Sequence, residues 1–177
     1  IIEGNTLFGN GCTAISTAGS DTAGFSDENV ITHNTISNTG KTGEGCGLNG
    51  EEWGGSGIRL DHGSSNNIVV SNTIDATRLG YYGGEPVNGN GILISDQSNN
   101  NILKNNNISN SQIGGIKVHN STGNITSYSN MWNNNINYND IAPGIGDISA
   151  NPVYTYAFND LLRLNEVRKP NYHLRKT

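Results

Sequence analysis

Charge is scarce in this chain. Only 14% of its 177 residues are charged and the formal net charge is −5, so there is no basic stripe to follow a phosphate backbone. Nucleic acid is therefore not an expected partner. Long apolar runs are missing too: none approaches the roughly 18 residues of a membrane span. Between residues 1 and 150 no stretch of good helix formers repeats with a period near 3.6, which removes helical repeats. Hydrophobic residues reach only 33%, too few for a thick core, yet the modest net charge and the patterning of the aliphatics argue against disorder. At 177 residues the chain has the length of one domain.

Asparagine and glycine fill the space, with 30 Asn and 24 Gly. They recur in order. The line IVVSNTI at 68–74 has relatives in IIEGNTL (1–7), VITHNTI (30–36), ILKNNNI (102–108) and, more weakly, ITSYSNM (125–131). Aligned, these place Asn5, Asn34, Asn72 and Asn106 in one column, with Ser129 in the fifth copy. An aliphatic residue follows two places later: Leu7, Ile36, Ile74, Ile108, Met131. A second motif is interleaved: AIST at 14–17, GIRL at 57–60, GILI at 91–94 and GIKV at 115–118. Self-similarity at this period marks a solenoid, whose repeats bury their apolar faces against one another. Short β-branched runs between Gly, Asn and Ser turns make the strands. Stacked Asn side chains suit a parallel coil because they can hydrogen-bond along a ladder, and Asn also tolerates left-handed backbone at a corner.

These residues resemble the right-handed parallel β-helix proteins of the pectin-lyase-like superfamily, over residues 1–139. The expected fold is an all-β solenoid of about five turns, with residues 140–177 as a C-terminal closing segment. Within that segment, NDLLRLNEVRK at 159–169 could form a short amphipathic helix or a further coil. The stretch GDISANPVYTYAF resembles the part that closes such helices in secreted bacterial proteins, so a secreted or cell-surface location is expected. The chain opens inside a repeat and without Met, and reads as a processed or excised piece. Preceding sequence or another subunit is expected to cover the first turn. Metal-chaperone β-helices are a poor match, since Met131 is the single Met and the His are scattered.

Spacing locates the interruptions. The Asn column leads to the GI column in 10 residues in the first and fourth turns, but in 24 in the second and 20 in the third. Insertions at 40–56 and 77–90 thus leave the same corner of adjacent turns, where solenoids place binding surfaces. They carry Glu51, Glu52 and Trp53, then Tyr81, Tyr82 and Glu85, a mixture of aromatics and carboxylates suited to sugar rings. The plainer reading is that Trp53 and the tyrosines anchor polar loops to the coil. On the adjoining GI strands, alternation turns Ile58 and Leu60 inward and Arg59 and Asp61 outward, with Lys117 and His119 two rungs on. His62 and Asp96 share a column. A polysaccharide lyase needs a cation to neutralise a uronate carboxylate and a base for the C5 proton. Arg59, Asp61, His62, Lys117 and His119 are the candidate catalytic residues, and Asp96 joins the loops as a candidate for substrate binding. A solvated solenoid face also carries charge for no catalytic reason.

Hydrolysis would need two carboxyl groups at a defined separation. Asp61 with Asp96 comes near that, and Glu51, Glu52 or Glu85 could supply another, but hydrolase and epimerase signatures are absent, so lyase chemistry ranks higher if the chain is an enzyme at all. Calcium is a candidate cofactor at Asp21, Asp27 and Glu28 or at Glu51 and Glu52, without a calcium-loop motif. Zinc is not expected from the spacing of His33, His62, His119 and His173. Cys12 and Cys46 fall at one corner of neighbouring turns and could form a disulfide. Two functions are carried forward: a module that binds or cleaves polysaccharide along the outer face, and a non-catalytic stalk of a larger surface protein.

Overall fold

The computed structural model describes residues 1–19, 26–40, 55–82 and 85–152, with the backbone alone for 80–82 and 85–87. Each turn of chain contributes three strands. The first holds β1 (Ile2–Glu3), β2 (Thr6–Phe8) and β3 (Ile15–Ala18), and the second β4 (Val30–Thr32), β5 (Thr35–Ser37) and β6 (Ile58–Asp61). The third has β7 (Ile68–Val70) and β8 (Thr73–Asp75), then a small hairpin of β9 (Gly80–Tyr82) and β10 (Glu85–Val87), then β11 (Asn90–Ile94). The fourth holds β12 (Ile102–Lys104), β13 (Asn107–Ser109) and β14 (Gly114–Val118). The fifth holds β15 (Ile125–Ser127), β16 (Asn130–Trp132) and β17 (Ile136–Asn139).

Equivalent strands stack in parallel. Sheet A is β1-β4-β7-β12-β15, sheet B is β2-β5-β8-β13-β16 and sheet C is β3-β6-β11-β14-β17. The fold is an all-β parallel β-helix of about five turns, as the repeats predict. Among the described residues no helix is long and apolar enough to cross a membrane. The core is a thin column of one or two aliphatics per strand: Ile31, Val69 and Leu103 from sheet A, Ile36, Ile74, Ile108 and Met131 from sheet B, and Ile58, Leu60, Ile92, Ile94 and Ile116 from sheet C, all fully buried. Such a core explains how 33% hydrophobic residues suffice.

The predicted Asn column is a continuous ladder. Asn34 donates its backbone N–H and its side-chain Nδ2 to Asn72 Oδ1, each at 3.0 Å. Asn72 repeats this onto Asn106 Oδ1 at 3.0 and 3.1 Å, Asn5 does the same onto Asn34, and Asn106 donates its N–H to Ser129 Oγ. A second ladder runs five residues earlier in turns two to five, through Asn29, Asn67, Asn101 and Asn124, with bonds of 2.8–3.1 Å. A third, of hydroxyls, links Thr17, Ser64, Ser98 and Ser121. The first ladder was expected to put Asn itself into the left-handed region. Instead the residue before it takes that conformation: Gly4, His33, Ser71, Asn105 and Tyr128. The ladder Asn is then free to extend its amide along the coil, and the two satisfied ends of that amide hold the strained corner in place.

The first ladder ends on a carboxylate. Asp147 Oδ1 accepts the Ser129 N–H at 2.7 Å and Oδ2 accepts the Gly144 N–H at 2.8 Å. Ile148 bridges to Asn130, so residues 144–150 form a partial sixth turn under sheets A and B. Burial and the Asp147 carboxylate push the Tyr138 phenol well above its ordinary value, keeping it neutral where it closes this end of the core. The proposed helix or coil at 159–169 lies outside the described residues.

The ladders carry a testable consequence. Asn72→Ala strands the donors of Asn34 and the buried carbonyl of Ile31, to which Asn72 Nδ2 donates at 2.9 Å. It should destabilise by about 3–5 kcal/mol, since each orphaned buried group costs about 1–3 kcal/mol. Asn5→Ala, at the exposed first rung, should cost under about 1 kcal/mol. Urea denaturation of the two variants reads the difference.

Candidate functional site

Sheet C positions the charged residues. Its inward positions are Ile15, Ile58, Ile92, Ile116 and Tyr138 in one column, and Thr17, Leu60, Ile94 and Val118 in the other. The outward positions are therefore Ser16, Arg59, Leu93, Lys117 and Asn139, with Ala18, Asp61, Ser95 and His119 two residues further along. This matches the alternation read from sequence. The surprise is burial: on this outward face Leu93 is 6% exposed, Asp61 3% and Ser95 6%. The middle of the face is not solvated.

Asp61 is the centre. Its Oδ1 accepts the Ser95 hydroxyl at 2.7 Å, and its Oδ2 takes the Arg59 guanidinium and, at 2.8 Å, His62 Nδ1. Burial pushes this carboxyl up, but the Ser95 hydrogen bond, the Arg59 charge, a hydrogen bond with the Asp96 side chain and the His62 charge outweigh it. The result is a carboxyl held below its ordinary 3.8, a buried anion fully paired. His62 is held differently. Its side chain is 60% exposed and its Nδ1 is tied to Asp61, which leaves Nε2 as the nitrogen able to exchange a proton. Both His62 and Asp96 stand at a left-handed corner with φ of 48° and 50°, and Gly63 N–H donates to the Asp96 carbonyl at 2.8 Å.

Asp61, His62 and Asp96 each bring one ligand-type atom within 4.8 Å of the others. A hard cation is nonetheless a poor fit. Calcium takes six to eight oxygens, while here Arg59 already occupies the Asp61 oxygen nearest His62. Of the other calcium candidates, Asp27 Oδ1 caps the Ser65 N–H at 2.7 Å and Glu28 sits at a left-handed corner, while Asp21, Glu51 and Glu52 lie outside the described residues.

The five candidate catalytic residues thus divide. Arg59, Asp61 and His62 form one network that also draws in Asp96. Lys117 is two rungs from Arg59, about 10 Å, with Leu93 between them, and His119 is as far from Asp61 with Ser95 between them. Ser95 is not among the candidate site residues read from sequence. Aligning GILI under GIRL places it opposite Asp61, and that register was the available signal.

The loops meet at one neck. Gly40 and Gly55 flank the first insertion and lie so close that a Cβ on Gly55 would stand 2.5 Å from Gly40, with Cys12 O equally near. Gly89, closing the second insertion, packs on Arg78 and donates its N–H to Gly55 O at 3.0 Å; Arg78 N–H donates to Thr39 O at 2.8 Å. Both insertions therefore leave the B–C corner one rung apart, at the start of the strands that carry Arg59 and Leu93. Trp53, Glu51 and Glu52 lie outside the described residues, and Tyr81, Tyr82 and Glu85 are placed by backbone alone, paired across the hairpin. Cys12 is disulfide-bonded; the chain's other cysteine, Cys46, lies outside the described residues. In comparison with known proteins, the chain matches no protein-family model and no curated protein.

Asp61 sets a pH test. Its folded pKa is depressed, so its contribution is present above the ordinary 3.8 and is lost as pH falls through the lower folded value. Asp61→Asn should destabilise by about 2–4 kcal/mol at neutral pH, because Arg59 loses its partner. That gap should close steadily as pH is lowered below 3.8, which denaturation midpoints of both proteins against pH will read.

Proposed function

We propose that this β-helix is a secreted or cell-surface module of the pectin-lyase-like kind that binds an acidic polysaccharide along sheet C, with His62 as the proton-transferring group. One observation carries the reading. A carboxylate buried on an outward face has no packing reason to be there, and Asp61 is fully paired in a way that orients a solvent-exposed imidazole. An oriented imidazole with a cation on the same face is what β-elimination from a uronate requires. His62 removes the proton α to the carboxylate, the electron pair forms the double bond, and the C4–O bond breaks as the leaving oxygen takes a proton. Lys117 supplies positive charge on the face for a substrate carboxylate, while Arg59 is committed to Asp61.

Hydrolysis is less well supported. It needs two free carboxyl groups, and both oxygens of Asp61 are occupied, so among the residues with described side chains Asp96 has no free partner acid. The stalk remains the second reading, favoured by the regularity of the ladders, which would make the Asp61 network a reinforcement of the corner.

A panel of acidic and neutral polysaccharides, assayed for binding, unsaturated uronate and new reducing ends, decides between them. Acidic polymers should bind in a salt-sensitive way, and Lys117→Ala should weaken binding about 3–10-fold. His62→Gln, which keeps an N–H donor for Asp61, should lower any elimination rate by about 100-fold or more with at most a small fall in melting temperature. Failure of the wild type to bind any polymer would leave the stalk.

A further inference from the structure

Sheet A presents a face that the proposed site does not use. Its inward residues Ile31, Val69 and Leu103 are fully buried. The residues before them point outward and stack in register: Val30 on Ile68, Ile68 on Ile102, and Ile102 on Ile125. One step back from the Ile2–Ile31 pairing, Ile1 joins the same column. The outward position is thus aliphatic in all five rungs, with Ile68 and Ile102 each 40% exposed and Ile125 55%. A solvated sheet face ordinarily alternates to polar residues. Here a strip about 19 Å long does not. The second outward column reads Glu3, Thr32, Val70, Lys104 and Ser127, with one acid in the first rung and one base in the fourth.

We infer that sheet A docks a second copy of this chain, face to face and with the rung order reversed. A two-fold axis lying in the contact plane along the strands sets each column against its own counterpart. Centred between the second and third rungs, it puts Ile1 against Ile102 of the second copy and Val30 against Ile68. Glu3 then faces Lys104, and symmetry makes that pair twice. An axis along the coil would lay Glu3 on the aliphatic strip. A half-rung shift to centre on Ile68 would set Glu3 against Ser127 and Lys104 against Thr32. Only the first arrangement is complementary in both apolar and charged positions, as an isologous contact requires. Lys104 is held for this role, its Nζ 5.6 Å from the centroid of the Tyr128 ring. Four rungs fall well short of the roughly 800 Å² per partner of a stable complex, so association is weak.

Sedimentation equilibrium of the 177-residue chain, from about 10 μM to about 1 mM, tests this. A monomer–dimer equilibrium should appear within that range. Glu3→Lys and Lys104→Glu alone should each weaken it about tenfold or more, and the two together should restore it to within about threefold. Ile68→Lys should abolish it at an unchanged melting temperature. A chain that stays monomeric to 1 mM overturns the proposal, as does a dimer that single charge reversals leave intact or the double reversal does not rescue. If the chain is monomeric and Ile68→Lys lowers its melting temperature, a segment of its own chain covers the face, and the proposal is again overturned.

Discussion

One shared acceptor holds the molecule together. In each of the two asparagine ladders a rung's backbone N–H and side-chain Nδ2 both fall on the Oδ1 of the next rung, from Asn34 to Asn72 to Asn106 and from Asn29 to Asn67 to Asn101. A buried amide without partners costs several kcal/mol. These amides avoid that only if every turn arrives in the same register. A slip of one residue would break all of them and also reverse the alternation, placing Ile36, Ile74 and Ile108 in water. Register is therefore over-determined, by amides at the corners and aliphatics along the strands.

The site inherits its geometry from that constraint. Arg59, Leu93 and Lys117 form a column because Ile58, Ile92 and Ile116 do, and Ser95 reaches Asp61 because Ile94 lies on Leu60. A buried anion on an outward face is tolerable only where hydroxyl, guanidinium and imidazole all converge on it. Such convergence needs neighbouring rungs fixed to a fraction of an ångström, which loops alone would not supply.

Much of this was legible in the sequence. The aliphatic-centred repeat gave the sheets, the inward and outward columns and the common corner of the two insertions, since a period of two and a fixed turn length leave little freedom. The second ladder was equally visible in principle: Ser26, Asn29 and Asn34 recur as Ser64, Asn67 and Asn72, then as Ser98, Asn101 and Asn106. It was missed because the alignment was anchored on strands, and these residues lie before them. The left-handed corners were misplaced by one residue, because composition suggested Asn while the backbone uses whatever precedes it, even His33 and Tyr128. The burial of Asp61 and Leu93 could not be read, because alternation assigns a face and says nothing of what covers it.

The ladder also has a direction. Each backbone N–H in the column points to the turn that comes later in the chain, while the Nδ2 of Asn34, Asn72 and Asn106 also donates back to a carbonyl of the turn before. Asp147, which can only accept, is where the first ladder stops among the described residues. During synthesis each completed turn thus waits with its column N–H unsatisfied until the next one emerges, and winding proceeds in step with the nascent chain. A carboxylate in the ladder position accepts the last N–H of the column and passes no donor onward, so a single aspartate ends the first ladder among the described residues.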